Sequence, residues 1–266
     1  MIKPVAMPMP LPMDIRLMQW TAGLLSALAL LMCMMAGLGW FMRHPIFAIQ
    51  GISVKGDVVH SNAVTLRANV LPHLSGNFFT LDLTQARLAF EQVPWVRSAL
   101  VRRQFPNRLS VTLNEFEPVA LWGEENDGRL LSKEGAVFEV NTDELDTEQL
   151  PLLKGPDGQG PAVLQMYRAL RPVFRAVDLD LERLELNQRG GWRAVTDAGA
   201  SIELGSGHQE EISARLQLFF KTLTQISSRY GRTSTSLLAA DLRHENGYAL
   251  RLRGVSTTGT DGVKTP

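Results

Sequence analysis

The chain has 266 residues, 45% of them hydrophobic, with 27 Lys plus Arg balanced by 27 Asp plus Glu. A formal net charge of zero leaves no overall field to hold nucleic acid or another acidic polymer. Cys33 is the sole cysteine, which excludes an internal disulfide and leaves the hydrophobic core to hold the fold.

Residues 1–18 form a proline-punctuated tail ("KPVAMPMPLPM") too short to fold by itself. The stretch "LMQWTAGLLSALALLMCMMAGLGWFM", 17–42, carries no charge. A helix of that length reaches roughly 39 Å, more than the ~30 Å hydrocarbon core of a bilayer. Trp20 near one end and Trp40 with Phe41 near the other suit the two interfaces, and Arg16 and Arg43 can reach outward. A cleaved signal peptide is the alternative. Its apolar core would be about 7–15 residues long and end in small residues, whereas this run is longer and ends in "GWFM". A transmembrane helix over 19–42 is therefore expected. The charge bias between its flanks is slight, and a short tail before a long exported body favours the N-terminus inside.

After the anchor, "FAIQGISVKGD" predicts a strand with Ile52 and Val54 on one face. Ser61 can cap a helix running to about Val70, stopped by Pro72. Asp82, three residues before Gln85, opens a second short helix with Leu83, Ala86 and Phe90 at helical spacing. Next, 97–105 and 109–115 read as strands around a Phe105-Pro106-Asn107-Arg108 turn, with Leu109, Val111 and Leu113 alternating against polar neighbours. Arg97, Arg102, Arg103 and Arg108 crowd this hairpin. Most of them fall where an uncovered sheet face meets water, and Trp95 reads as a core or helix-end packing residue.

From Glu117 the pattern changes. "LLSKEGAVFEV" is a hairpin around Lys133-Glu134-Gly135, and 150–160 reads as Pro/Gly-rich loop. Pro161 starts a helix with Leu164, Tyr167 and Leu170 on one face. "LERLELNQRGGWRAVTDAGASIELG" supplies three short strands. Ser206 and Gln209 then offer a capping box for a long helix with an Ile212, Leu216, Phe219, Leu223, Ile226 stripe, stopped at Gly231. "AADLRHENGYALRLRG" predicts a last hairpin with a two-residue Asn246-Gly247 turn. Residues 255–266 are polar and read as disordered. The fold class is α+β.

No chemistry stands out. The histidines at 44, 60, 73, 208 and 244 show no metal-ligand spacing. G-x-S-x-G, S-x-x-K and Walker-type glycine loops are missing, which argues against common acyl-transfer and nucleotide chemistry. Neither an enzyme, a metal site nor a cofactor is expected.

One resemblance organises these elements. "VPWVRSALVRRQFPNRLSVTLNEFEPVALW", "LLSKEGAVF", "LPLLKGP", "QRGGW", "IELG" and "ADLRHENGYAL" occur in the order seen in bacterial division proteins. The chain resembles the FtsQ/DivIB family in its proteobacterial form, over the anchor and nearly all of 47–253. The resemblance implies a POTRA domain (46–116, strand-helix-helix-strand-strand), then a β-rich domain (117–254) with an antiparallel sheet and flanking helices. It also implies a single-pass type II protein of the inner membrane at the division septum, with a cytoplasmic N-terminus and a periplasmic body. Its partners would be FtsB and FtsL and other divisome membrane proteins, with no nucleic acid and no small-molecule substrate. FtsB would add a strand to the last β-strand, at Arg243, His244, Asn246, Gly247, Tyr248, Leu250, Arg251 and Leu252, with Arg189 beside it; Arg102 and Arg103 would be secondary POTRA contacts. His244, Asn246 and Leu252 depart from the family's usual residues there. Two other readings remain: a POTRA-bearing protein of polypeptide transport, and an anchored periplasmic hydrolase.

Overall fold

A computed structural model describes residues 13–56, 58–125, 127–141, 145, 147, 149–229, 232–244 and 247–254. Most of the N-terminal tail, the expected stop at Gly231 and the 255–266 tail lie outside the described residues. The chain divides into two compact units that part between Asn114 and Glu115.

The first unit opens with α1 (Met13–Met42), a 30-residue helix. Its span Leu17–Met42 is long and apolar enough to cross a membrane, and none of its residues is buried within the protein. A short 3-10 turn at Pro45–Phe47 leads into β1 (Gly51–Lys55). Then follow α2 (Ala63–Val70), α3 (Leu83–Glu91), β2 (Val96–Gln104) and β3 (Arg108–Glu115). Sheet order is β1-β3-β2, with β1 parallel to β3 in the register Ile52↔Leu109 and Val54↔Val111. The alternation in β3 does what its pattern requires: Leu109, Val111 and Leu113 are fully buried under the helices with Leu66, Val70 and Phe90. The Asp82 carboxylate caps α3 by accepting from the N–H groups of Thr84 (2.7 Å) and Gln85 (3.3 Å). For α2 the cap is Asn62, whose side chain accepts from Thr65 N–H at 2.8 Å, rather than the expected Ser61. Both residue types can cap, and Asn62 is the one whose extended backbone directly precedes the helix.

The second unit is two-layered. Its strands are β4 (Pro118–Trp122), β5 (Arg129–Ser132), β6 (Val137–Glu139), β7 (Leu152–Lys154), β8 (Leu181–Leu186), β9 (Trp192–Thr196), β10 (Ser201–Gly205), β11 (Leu237–Asp241) and β12 (Ala249–Leu252). They form one sheet in the order β12-β11-β10-β9-β8-β7-β4-β5-β6. Helices α4 (Gly160–Arg175) and α5 (Gln209–Arg229) join β7 to β8 and β10 to β11. Because each helical crossover returns the chain in the same direction, β7–β8 and β10–β11 are parallel, as is β4–β7. The sheet is thus mixed, not wholly antiparallel. Strand β7 lies inside the stretch 150–160 expected to be loop, and Leu153 at its centre is fully buried. Three residues are too few for periodicity to announce a strand. The helices and sheet share a core of Trp122, Leu170, Phe174, Ile202, Leu216 and Phe219. The Leu164, Tyr167, Leu170 face of α4 and the Ile212-to-Leu223 stripe of α5 both point into it.

Candidate functional site

Sheet order places β12 at one margin, with β11 its only neighbouring strand among the described residues. The two run antiparallel, Asp241↔Ala249 and Ala240↔Leu250, with a bulge between Leu237 and Ala239. Arg253 N–H donates to Ser236 O at 2.8 Å, so the backbone of Arg253 faces β11. By antiparallel alternation Arg251 and Ala249 face β11 as well, and the N–H and C=O groups of Leu250 and Leu252 aim at the open side. That is the arrangement a guest strand needs.

Side chains along β12 divide by face. Tyr248 and Leu250 are half-buried and Leu252 is buried, all against the core, while Ala249, Arg251 and Arg253 are exposed. The Tyr248 ring meets Phe219 of α5 edge-on, with centroids 5.1 Å apart. Tyr248 therefore packs on the long helix. Phe219 reads in the sequence as an ordinary member of a core stripe; only the fold shows that it supports the margin.

The connection preceding β12 differs from the expected two-residue turn. Strand pairing ends at Asp241↔Ala249, so residues 242–248 form the link; Asn246 lies outside the described residues. Two contacts draw the chain off the ladder. Leu242 N–H donates to Glu203 O on β10 at 2.8 Å. The Asp241 carboxylate takes the Arg243 backbone N–H (3.0 Å) and both arms of its guanidinium, Nε at 2.9 Å and Nη2 at 2.6 Å. The Arg243 guanidinium hydrogen bond, aided by the backbone one, holds the Asp241 carboxyl down to about 2. Arg243 is thus pre-aimed, with its side chain still 60% exposed. His244 and Gly247 in the same link are exposed.

Arg189 sits in the β8–β9 turn, exposed, its N–H accepted by the Asn187 side chain at 2.9 Å. Strand directions bring that turn to the same end of the sheet as the 242–248 link, yet β10 and β11 intervene. At ~4.8 Å per strand step, Arg189 stands about 15 Å from β12, so a guest must lie across the sheet end to reach both. Of the two candidate arginines in the first unit, Arg102 is exposed, whereas Arg103 is engaged. Arg103 donates from Nε to Phe78 O and from Nη2 to Leu81 O, each at 2.6 Å, which lashes the loop between α2 and α3 to β2. Among the described residues no group of three His, Cys, Asp or Glu could hold a metal ion.

Comparison with known proteins identifies the family of both units. The family model described as "Cell division protein FtsQ/DivIB, C-terminal" matches residues 120–243, and "POTRA domain, FtsQ-type" matches 47–116. The cell division protein FtsQ of Thiomonas arsenitoxydans is 38% identical over 263 residues, 97% of this chain and 96% of that protein. That of Burkholderia pseudomallei is 40% identical over 253 residues, covering 94% and 98%. That of Neisseria meningitidis is 30% identical over 236 residues, covering 89% and 94%.

Proposed function

The chain belongs to the FtsQ/DivIB family of cell division proteins, and from that premise we propose that it is a non-enzymatic scaffold of the divisome. In this reading α1 crosses the inner membrane with its N-terminus in the cytoplasm. The POTRA domain (46–116) and the β domain (117–254) stand in the periplasm at the septum. The protein links earlier division proteins to the FtsB–FtsL pair and so governs septal peptidoglycan synthesis. FtsB docks by adding a strand to β12.

The observation carrying this reading is the open margin: β12 pairs with β11 alone among the described residues. Its N–H and C=O groups at Leu250 and Leu252 aim outward, as the alternation from Arg253 requires. A guest strand there gains main-chain hydrogen bonds of about 0.5–1.5 kcal/mol net each, and alternate side chains set specificity. The pre-aimed Arg243 supplies a charged contact at the link, and Arg251 another on the outer face of the strand.

The test places proline at Leu250 and Leu252, removing an outward N–H at each, and measures FtsB pull-down, with folding checked by circular dichroism. Capture should fall at least tenfold; a folded double variant that captures FtsB at the parental level ends the strand-addition account. Zymography on peptidoglycan with the intact protein addresses the enzymatic question. Cleavage there overturns the scaffold reading.

A further inference from the structure

At the membrane end of the first unit, five phenylalanine rings form a continuous chain from the anchor to the tip of the β2–β3 hairpin. Phe41, in the last turn of α1, meets Phe47 at 5.3 Å; Phe47 meets Phe79 at 4.9 Å; Phe79 meets Phe78 at 5.3 Å; and Phe78 meets Phe105 at 6.1 Å. Only Phe78 in this chain beyond the anchor is well buried. Phe105 at the hairpin tip is 75% exposed and Ile46 is 62% exposed. A solvated turn gains nothing from bare phenylalanine, and a patch continuous with a membrane helix has a ready occupant.

Backbone contacts hold this pole together. Asn77 Nδ2 donates to Met42 O at the end of α1, and Phe78 N–H donates to Phe47 O at 2.8 Å. Gln50 N–H donates to Asn107 O at 3.0 Å, which ties the hairpin tip to the start of β1. The Arg103 guanidinium bonds to the same loop. The charge pattern is one-sided. The three segments that meet here, 40–55, 71–81 and 96–114, contain no aspartate or glutamate, and they carry exposed Arg43, Arg102 and Arg108.

We propose that this pole of the POTRA domain rests in the membrane interface. Phe105 and Ile46 enter the headgroup–acyl boundary, and Arg43, Arg102 and Arg108 meet the phosphates of anionic lipid. Aromatic rings favour that depth and cations near an anionic surface are drawn to it. The proposal rests on α1 being the membrane anchor, and it makes the POTRA domain lie against the bilayer rather than stand off on a free tether.

The experiment uses the full chain in a Cys33→Ala background, reconstituted into phosphatidylethanolamine–phosphatidylglycerol vesicles containing a spin-labelled lipid quencher. A fluorophore is placed singly by Gln104→Cys beside the tip, by Val64→Cys on α2, or by Leu28→Cys inside α1. Val64 is 77% exposed and lies in the first turn of α2, outside the three segments that form the pole. The label at 104 should be quenched at least threefold more strongly than that at 64. Adding Phe105→Ser should halve the quenching at 104, and replacing phosphatidylglycerol by a neutral lipid should lower it. Equal quenching at 104 and 64, with strong quenching at 28, overturns the proposal while the anchor stands. Quenching at 104 unmoved by Phe105→Ser refutes insertion of the ring. A label at 28 that escapes quenching removes the anchor reading, and the proposal with it.

Discussion

The two margins of the nine-stranded sheet are built differently. At one end β6 is three residues long and joined to β5 by a tight Lys133-Glu134-Gly135 turn, with Ser132 and Ala136 bonded across it through backbone and side chain. Phe138 turns inward and stacks on Phe116 with centroids 4.5 Å apart. Lys133 pairs with Glu117, and Arg129 with Asp127. Local links therefore secure this margin. At the other end β12 follows a seven-residue link, and its order comes from afar, through Tyr248, Leu250 and Leu252 lying on the α5 core. A strand supported by side chains, with its outward backbone spare, is suited to receive a guest; a strand secured by its own turn has less to offer.

The contrast can be broken most forcefully at its support. Phe219→Ala should cost about 3–5 kcal/mol in urea unfolding of the β domain, because a fully buried aromatic is lost and Tyr248 loses its contact. Phe116→Ala, at the partly exposed stack of the other margin, should cost much less, with the ring pair itself contributing about 0.5–1.5 kcal/mol. Equal losses would show that the two margins draw on one source of order.

Proline sharpens the comparison next. Leu250→Pro alone should weaken FtsB capture several-fold, read by titrated pull-down, while Val137→Pro on β6 should leave it within twofold. If the β6 variant lost capture equally, the docking margin would be the wrong one.

Acid gives a smaller effect. A carboxyl held below its ordinary value of 3.8 favours the folded link at pH above that value, and the contribution fades as pH falls toward about 2. Tyrosine fluorescence or exchange of the link amides should therefore loosen near pH 3 before the domain unfolds, and Asp241→Asn should remove that step. The smallest effect belongs to Lys133→Ala, which breaks an exposed ion pair on the β6 side. Thermal unfolding should register less than about 1 kcal/mol.

Much of this architecture is written locally. The uncharged run of α1, the Asp82 cap, the alternation of Leu109, Val111 and Leu113 and the α5 stripe each depend on neighbours within a few residues, and each stands in the structure. What the chain conceals depends on distant partners. Strand β7 exists because β4 and β8 flank it, and the parallel pairings depend on where the helices return the chain. The Arg103 bonds to Phe78 and Leu81 are equally non-local. Strand β12 was legible as alternation at Tyr248, Leu250 and Leu252, but its link was not. Asn246-Gly247 has the composition of a tight turn, yet the bonds at Leu242 and Asp241 take the backbone off the ladder first.

Because β12 follows every other strand of its sheet in chain order, timing enters the design. A polypeptide made and exported from its N-terminal end builds the helices and the eight earlier strands before β12 exists. On the proposed reading, a half-exported copy would have no landing place for its partner, and only molecules that have finished crossing would enlist one.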